Sequence, residues 1–137
     1  MRRNADGSVT FWVPVTGSTT ADAHYPRSEL RETRRDGSLG NWLHASANNY
    51  LSAVLRIDQV PSLNKVVIGQ IHSTDVPGSQ NDPLVKLQYH YRRGVGRLEL
   101  LLRAQPGDTA VQNILLAENV QLGERFGYGL RITPSGR

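Results

Sequence analysis

The 137-residue chain contains no cysteine. That removes a disulfide framework, thiolate metal sites and a thiol nucleophile together. It also has no run of about 18 apolar residues, so no segment reads as a membrane-spanning helix. The start, "MRRNADGSV", is basic, but no apolar stretch follows it as a secretory signal would require. His24, His44 and His90 show no metal-ligand spacing among themselves, and neither "GVG" nor "RRDGS" opens a helix as a phosphate loop does. No cofactor or metal is implied. Internal repeats, low-complexity tracts and interdomain linkers are absent as well.

What remains is ordinary for a folded domain: 38% hydrophobic and 20% charged residues, too apolar for disorder. The length fits one domain, residues 1–137. Sixteen basic residues against twelve acidic ones give a net charge of +4. Such a balance favours an anionic partner: nucleic acid, an acidic polysaccharide or an anionic membrane surface. The only local basic clusters are "RETRR" and "YRRG", and no nucleic-acid motif underlies them.

Apolar and polar residues alternate with a period of two in "SVTFWVPV", "YPRSELRET", "YLSAVLRID", "KVVIGQIH", "LVKLQYHY", "GRLELLLR" and "ERFGYGLRI". Alternation of this kind predicts half-buried strands, and turn-rich pieces such as "STDVPGSQNDP" and "RRGVG" separate them. Only "TAVQNILLAENV" has some helical spacing, and it is short enough to be a strand. The pattern predicts an all-β sandwich or jelly roll. Trp12 and Trp42 fit the core of such a sandwich or a sugar-stacking surface.

Successive strand side chains point to opposite faces. On that rule Arg27, Glu29 and Arg31 share one face; Ile68, Gln70 and His72 share another; and Lys86, Gln88 and His90 a third. Together they supply guanidiniums, carboxamides and imidazoles, with no hydroxyl–histidine–acid arrangement. Arginine pairs bidentately with a carboxylate, and glutamine adds a neutral donor. A histidine beside a neutralised carboxylate can then remove a proton from the adjacent carbon. The set suits β-elimination in a polyuronate. It suits glycoside hydrolysis poorly, because that needs two positioned carboxyl groups. Read singly, the same residues also describe a solvated strand face, a structural histidine (His72) and an edge-strand lysine (Lys86). His24, His44 and His90 read as surface groups.

In their order and spacing, "YPRSELRE", "VVIGQIH" and "LVKLQYHY" resemble polysaccharide lyase family 7, the alginate lyases. The likeness runs from "FWVPVTGSTT" to "ERFGYGLRITPSG". It implies a jelly-roll β-sandwich with a concave polysaccharide-binding sheet. It places carboxylate neutralisation on Arg27 and Gln70, proton abstraction on His72, and substrate binding on Glu29, Arg31, Lys86 and Gln88. It implies alginate as partner, no cofactor, and a secreted or periplasmic setting. Ile71, inside the Q-I-H motif, would point away from the groove. The family's tyrosine motif, resembling Y-F-K-A-G-x-Y-x-Q on a later strand, has no counterpart here. The fold is therefore expected to be incomplete at its C-terminus, with unpaired sheet edges through which it could self-associate. Three other functions are weighed beside the lyase: a non-catalytic domain or inactive fragment that binds acidic polysaccharide, a glucuronan lyase, and a basic nucleic-acid-binding β protein.

Overall fold

A computed structural model describes residues 1–21, 23–38, 40, 48–72, 83–105 and 108–135. It is all-β, with no helix among the described residues. The chain divides into two compact units, Met1–Asn41 and Trp42–Arg137.

In the first unit the ladders are short. Strands β1 (Arg2–Arg3) and β2 (Val9–Thr10) pair antiparallel. The expected strand over "YPRSELRET" is not one: residues 26–32 form no ladder, and only Thr33 makes an isolated bridge. Alternation marks a strand only where a neighbour supplies hydrogen bonds, and Pro26 has no N–H to contribute. "SVTFWVPV" likewise contributes only Val9 and Thr10 to a ladder. Trp12 is 70% exposed, so its expected place in a core is not observed.

The second unit carries the real sheets. Strands β4 (Lys65–His72), β5 (Pro83–Arg92), β6 (Val95–Leu102) and β7 (Gln112–Glu118) form a four-stranded antiparallel sheet in that order. Strands β3 (Asn49–Arg56) and β8 (Arg125–Ile132) form a separate antiparallel pair. The short helical spacing around Val111–Leu115 resolves as strand β7.

The core lies on one face of β5. Leu87 and Tyr89 have no exposed surface, and Val85 is buried beside them. Tyr89 gathers Ile57, Leu98 and Val120 around it, with Leu55, Val66, Ile68 and Phe126 packed outside. Its ring stacks on Phe126 of β8 at 6.4 Å, and its hydroxyl donates to the Val120 carbonyl at 2.9 Å. Gly96, on the same side of β6, is buried against both groups.

The outer strands are less covered. Ile114, Leu115 and Leu116 of β7 and Tyr50, Leu51 and Val54 of β3 are exposed. β4 and β7 are the edges of the larger sheet.

Candidate functional site

The face of the four-stranded sheet opposite the core is polar, and strand register orders it into rows. Lys65, His90, Arg97 and Glu118 lie opposite one another across β4–β7. The next row is Val67, Gln88, Glu99 and Leu115, and the third is Gln70, Lys86, Leu101 and Asn113. On β5 the alternation of Lys86, Gln88 and His90 against Val85, Leu87, Tyr89 and Tyr91 holds as the sequence predicts.

On β4 it holds only in part. A register shift between Val67 and Gly69 leaves Ile68 as the extra residue of a bulge. Ile68 packs against the core, and Val67, opposite Gln88, is exposed on the polar face. Both placements reverse the strict period-two reading.

The bulge has its own supports. Tyr128 of β8 donates its hydroxyl to the Ile68 carbonyl at 2.6 Å. A Cβ on Gly69 would meet that hydroxyl at 2.7 Å, so glycine leaves room for the tyrosine. Past the bulge the strand is rephased: Gly69 and Ile71 face the core opposite Leu87 and Val85, and Gln70 lies opposite Lys86. Directly opposed residues in such a ladder have Cα atoms roughly 4.5–5.5 Å apart. The half-buried His72 follows two residues on, opposite Pro83 across a second irregularity.

The centre of the face holds a carboxylate that the sequence reading did not single out. Glu99 is only 8% exposed and Gln88 only 7%. Gln88 Nε2 donates to Glu99 Oε2 at 2.5 Å, and His90 Nδ1 lies 3.1 Å from Oε1. An ionised carboxylate only accepts, so His90 carries its proton on Nδ1 in this contact. His90 is therefore half-buried and engaged, where the sequence reading made it a surface group.

Burial pushes the Glu99 pKa up, but hydrogen bonds from Gln88 and His90, with the charges of His90 and Lys65, outweigh it. The net shift is downward from the ordinary value of 4.5. A carboxyl depressed in the folded state contributes stability above its unfolded pKa and loses it as pH falls through the folded value. Stability should decline below about pH 4.5. Glu99→Gln should flatten that acid limb in urea melts taken from pH 6 to 3. An unchanged limb would contradict the assignment.

The remaining predicted site residues divide between the two units. Gln70, His72, Lys86 and Gln88 stand on β4 and β5. Arg27, Glu29 and Arg31 belong to the first unit, where all three are exposed and Arg27 Nη1 lies 3.8 Å from Glu29 Oε1. His44 and Trp42 lie outside the described residues.

Two tyrosine hydroxyls are committed to backbone carbonyls, Tyr89 to Val120 and Tyr128 to Ile68. Desolvation raises the pKa of both; for Tyr89, Tyr91 and Glu124 add to the rise. Neither is placed to give a proton to a ligand on the polar face. Among the described residues no group of three or more histidines and carboxylates gathers as a metal site would require.

Comparison with known proteins gives a consistent answer. The family model described as alginate lyase matches residues 1–136. The crystal structure of an alginate lyase from Pseudomonas aeruginosa superimposes with a TM-score of 0.93 at 44% identity, over 98% of this chain and 60% of that one. The family 7 alginate lyase A1-II′, solved in substituted form with substrate, matches with a TM-score of 0.78 at 30% identity, over 96% of this chain and 55% of that one. This chain thus spans less than two thirds of the length of either enzyme. No curated protein sequence matches it.

Proposed function

The chain belongs to the alginate lyase family, and from that premise we propose that it acts on alginate, cleaving the polymer by β-elimination. The observation that carries the reading is the rephased end of β4. Beyond the Ile68 bulge, Gln70 shares the polar face with Lys86, and His72 follows two residues later.

In this reading Gln70 hydrogen-bonds the uronate carboxylate, so that negative charge developing on it is stabilised. Arg27, in the first unit, is by the family resemblance a second candidate for carboxylate neutralisation. His72 takes the C5 proton. The C5–H electrons form the C4–C5 double bond, the C4–O bond breaks, and the leaving oxygen takes a proton from a donor that none of these residues supplies. Lys86 adds positive charge beside Gln70. Glu29 orients the Arg27 guanidinium at 3.8 Å, and Arg31 offers a further guanidinium to bind a uronate.

The test is incubation with alginate under continuous ultraviolet absorbance, which reports the unsaturated uronate ends that β-elimination creates. Rising absorbance supports the lyase. Folded protein that binds alginate in a salt-sensitive way and yields no absorbance would instead be a non-catalytic polysaccharide-binding domain.

A further inference from the structure

Among the described residues of the second unit, three take a left-handed backbone conformation without being glycine: Asn64, Arg93 and Asn119. Asparagine tolerates this region because its short polar side chain is accommodated there. Arginine has no such excuse. Arg93 (φ 54°) and Gly94 (φ 80°) are the two central residues of the tight turn joining β5 to β6. Positive φ at both positions makes the type I′ hairpin turn, whose preferred first residues are Asn, Asp and Gly. A long cation stands where the backbone asks for a small residue, and strain of this kind points to a task for the side chain.

Around the turn is a shallow depression of about 370 Å³, lined by Arg92, Arg93, Val95, Arg97, Glu118 and Asn119. Arg97 Nη2 is held by Glu118 Oε1 at 3.0 Å. Arg92 and Arg93 make no ion pair among the described residues, so three guanidiniums face one carboxylate. Arg92 has the same strand parity as Lys86, and Arg97 lies opposite His90, so both stand on the polar face that carries Gln70. Arg92 lies six residue steps along β5 from Lys86, roughly 20 Å at the strand rise.

We propose that Arg92, Arg93 and Arg97 form a remote carboxylate-binding subsite, which engages a uronate of a long acidic chain already held at Gln70 and Lys86. The inference rests on the proposed action on alginate. Guanidinium groups pair with carboxylates through parallel N–H donors, which suits one uronate in a depression of this size. Two separated sites on one face, bridged by one polymer, strengthen each other through effective concentration. Short oligomers reach only one of them.

The experiment compares the unaltered chain with Arg92→Gln/Arg93→Asn, titrating size-fractionated alginate and short oligouronates at low salt, with single-stranded DNA as a control. The substitution at position 93 installs a side chain that the left-handed turn prefers, so the thermal midpoint should hold or rise. That separates lost binding from lost folding. Affinity for long alginate should fall about 3- to 10-fold, with less than about a 2-fold change for short oligomers. Equal affinity of both proteins for long alginate would overturn the subsite and leave the lyase reading standing. An equal loss for long and short chains would overturn the remote placement. A loss confined to DNA would assign the arginines to nucleic acid and overturn the proposal. No alginate binding by the unaltered chain would overturn both the subsite and the reading beneath it.

Discussion

His72→Ala is expected to lower the rate of uronate elimination by about 10²–10⁴-fold, the range typical for loss of a general base. Gln70→Ala should cost about 10²–10³, as removal of a donor to developing negative charge does. Both residues follow the β4 bulge, so their substitution leaves the Tyr89 core intact. Folding, read by thermal midpoint, should change little. The pair can then be told from a general loss of structure. Rates above about a tenth of the original would remove the substituted residue from its assigned role.

Gly96→Ala should be the most damaging single-methyl change in the second unit. A Cβ there would overlap the Val120 carbonyl oxygen and the Tyr89 hydroxyl, and would come within 2.5 Å of the ring carbon bearing that hydroxyl. These groups cannot all yield. The Val120 carbonyl accepts from Tyr89, and the Val120 amide donates to the Gly96 carbonyl at 3.1 Å, so moving either breaks bonds at the centre of the core. Overpacking costs about 1–3 kcal/mol and an unsatisfied buried hydrogen-bonding group about 1–3 more. Their sum, about 2–6 kcal/mol, is a large part of a small domain's stability. Urea denaturation checks it. A destabilisation below about 1 kcal/mol would show that the Val120 turn relaxes freely.

Much of the second unit can be read from alternation alone. "LVKLQYHY" keeps strict period two because β5 is central, with Leu87 and Tyr89 sealed on one face and Lys86, Gln88 and His90 on the other. "KVVIGQIH" reads correctly as a strand but in the wrong phase over Val67 and Ile68. The bulge there depends on a tyrosine 60 residues away, which no local pattern reveals. The strand expected over Arg27–Arg31 fails for the complementary reason: alternation is a side-chain property, whereas a ladder needs a partner.

Glu99 escaped because one glutamate in "GRLELLLR" looks like the solvent side of a leucine-rich strand. Only the pairing of β5 with β6 brings it to Gln88 and His90 and buries it. The Gln88 and His90 parity marks a polar face, but a solvated strand satisfies that parity equally well. The catalytic assignments to Arg27, Gln70 and His72 came from the order of three motifs, and periodicity alone would have left them as a polar sheet face.

The most direct measurement is cleavage of alginate by this chain in heavy-oxygen water, followed by mass analysis of the new ends. Elimination predicts ends that carry a C4–C5 double bond and no oxygen from solvent at the moment of cleavage. Saturated ends carrying solvent oxygen would mean hydrolysis, and would contradict the roles given to Gln70 and His72.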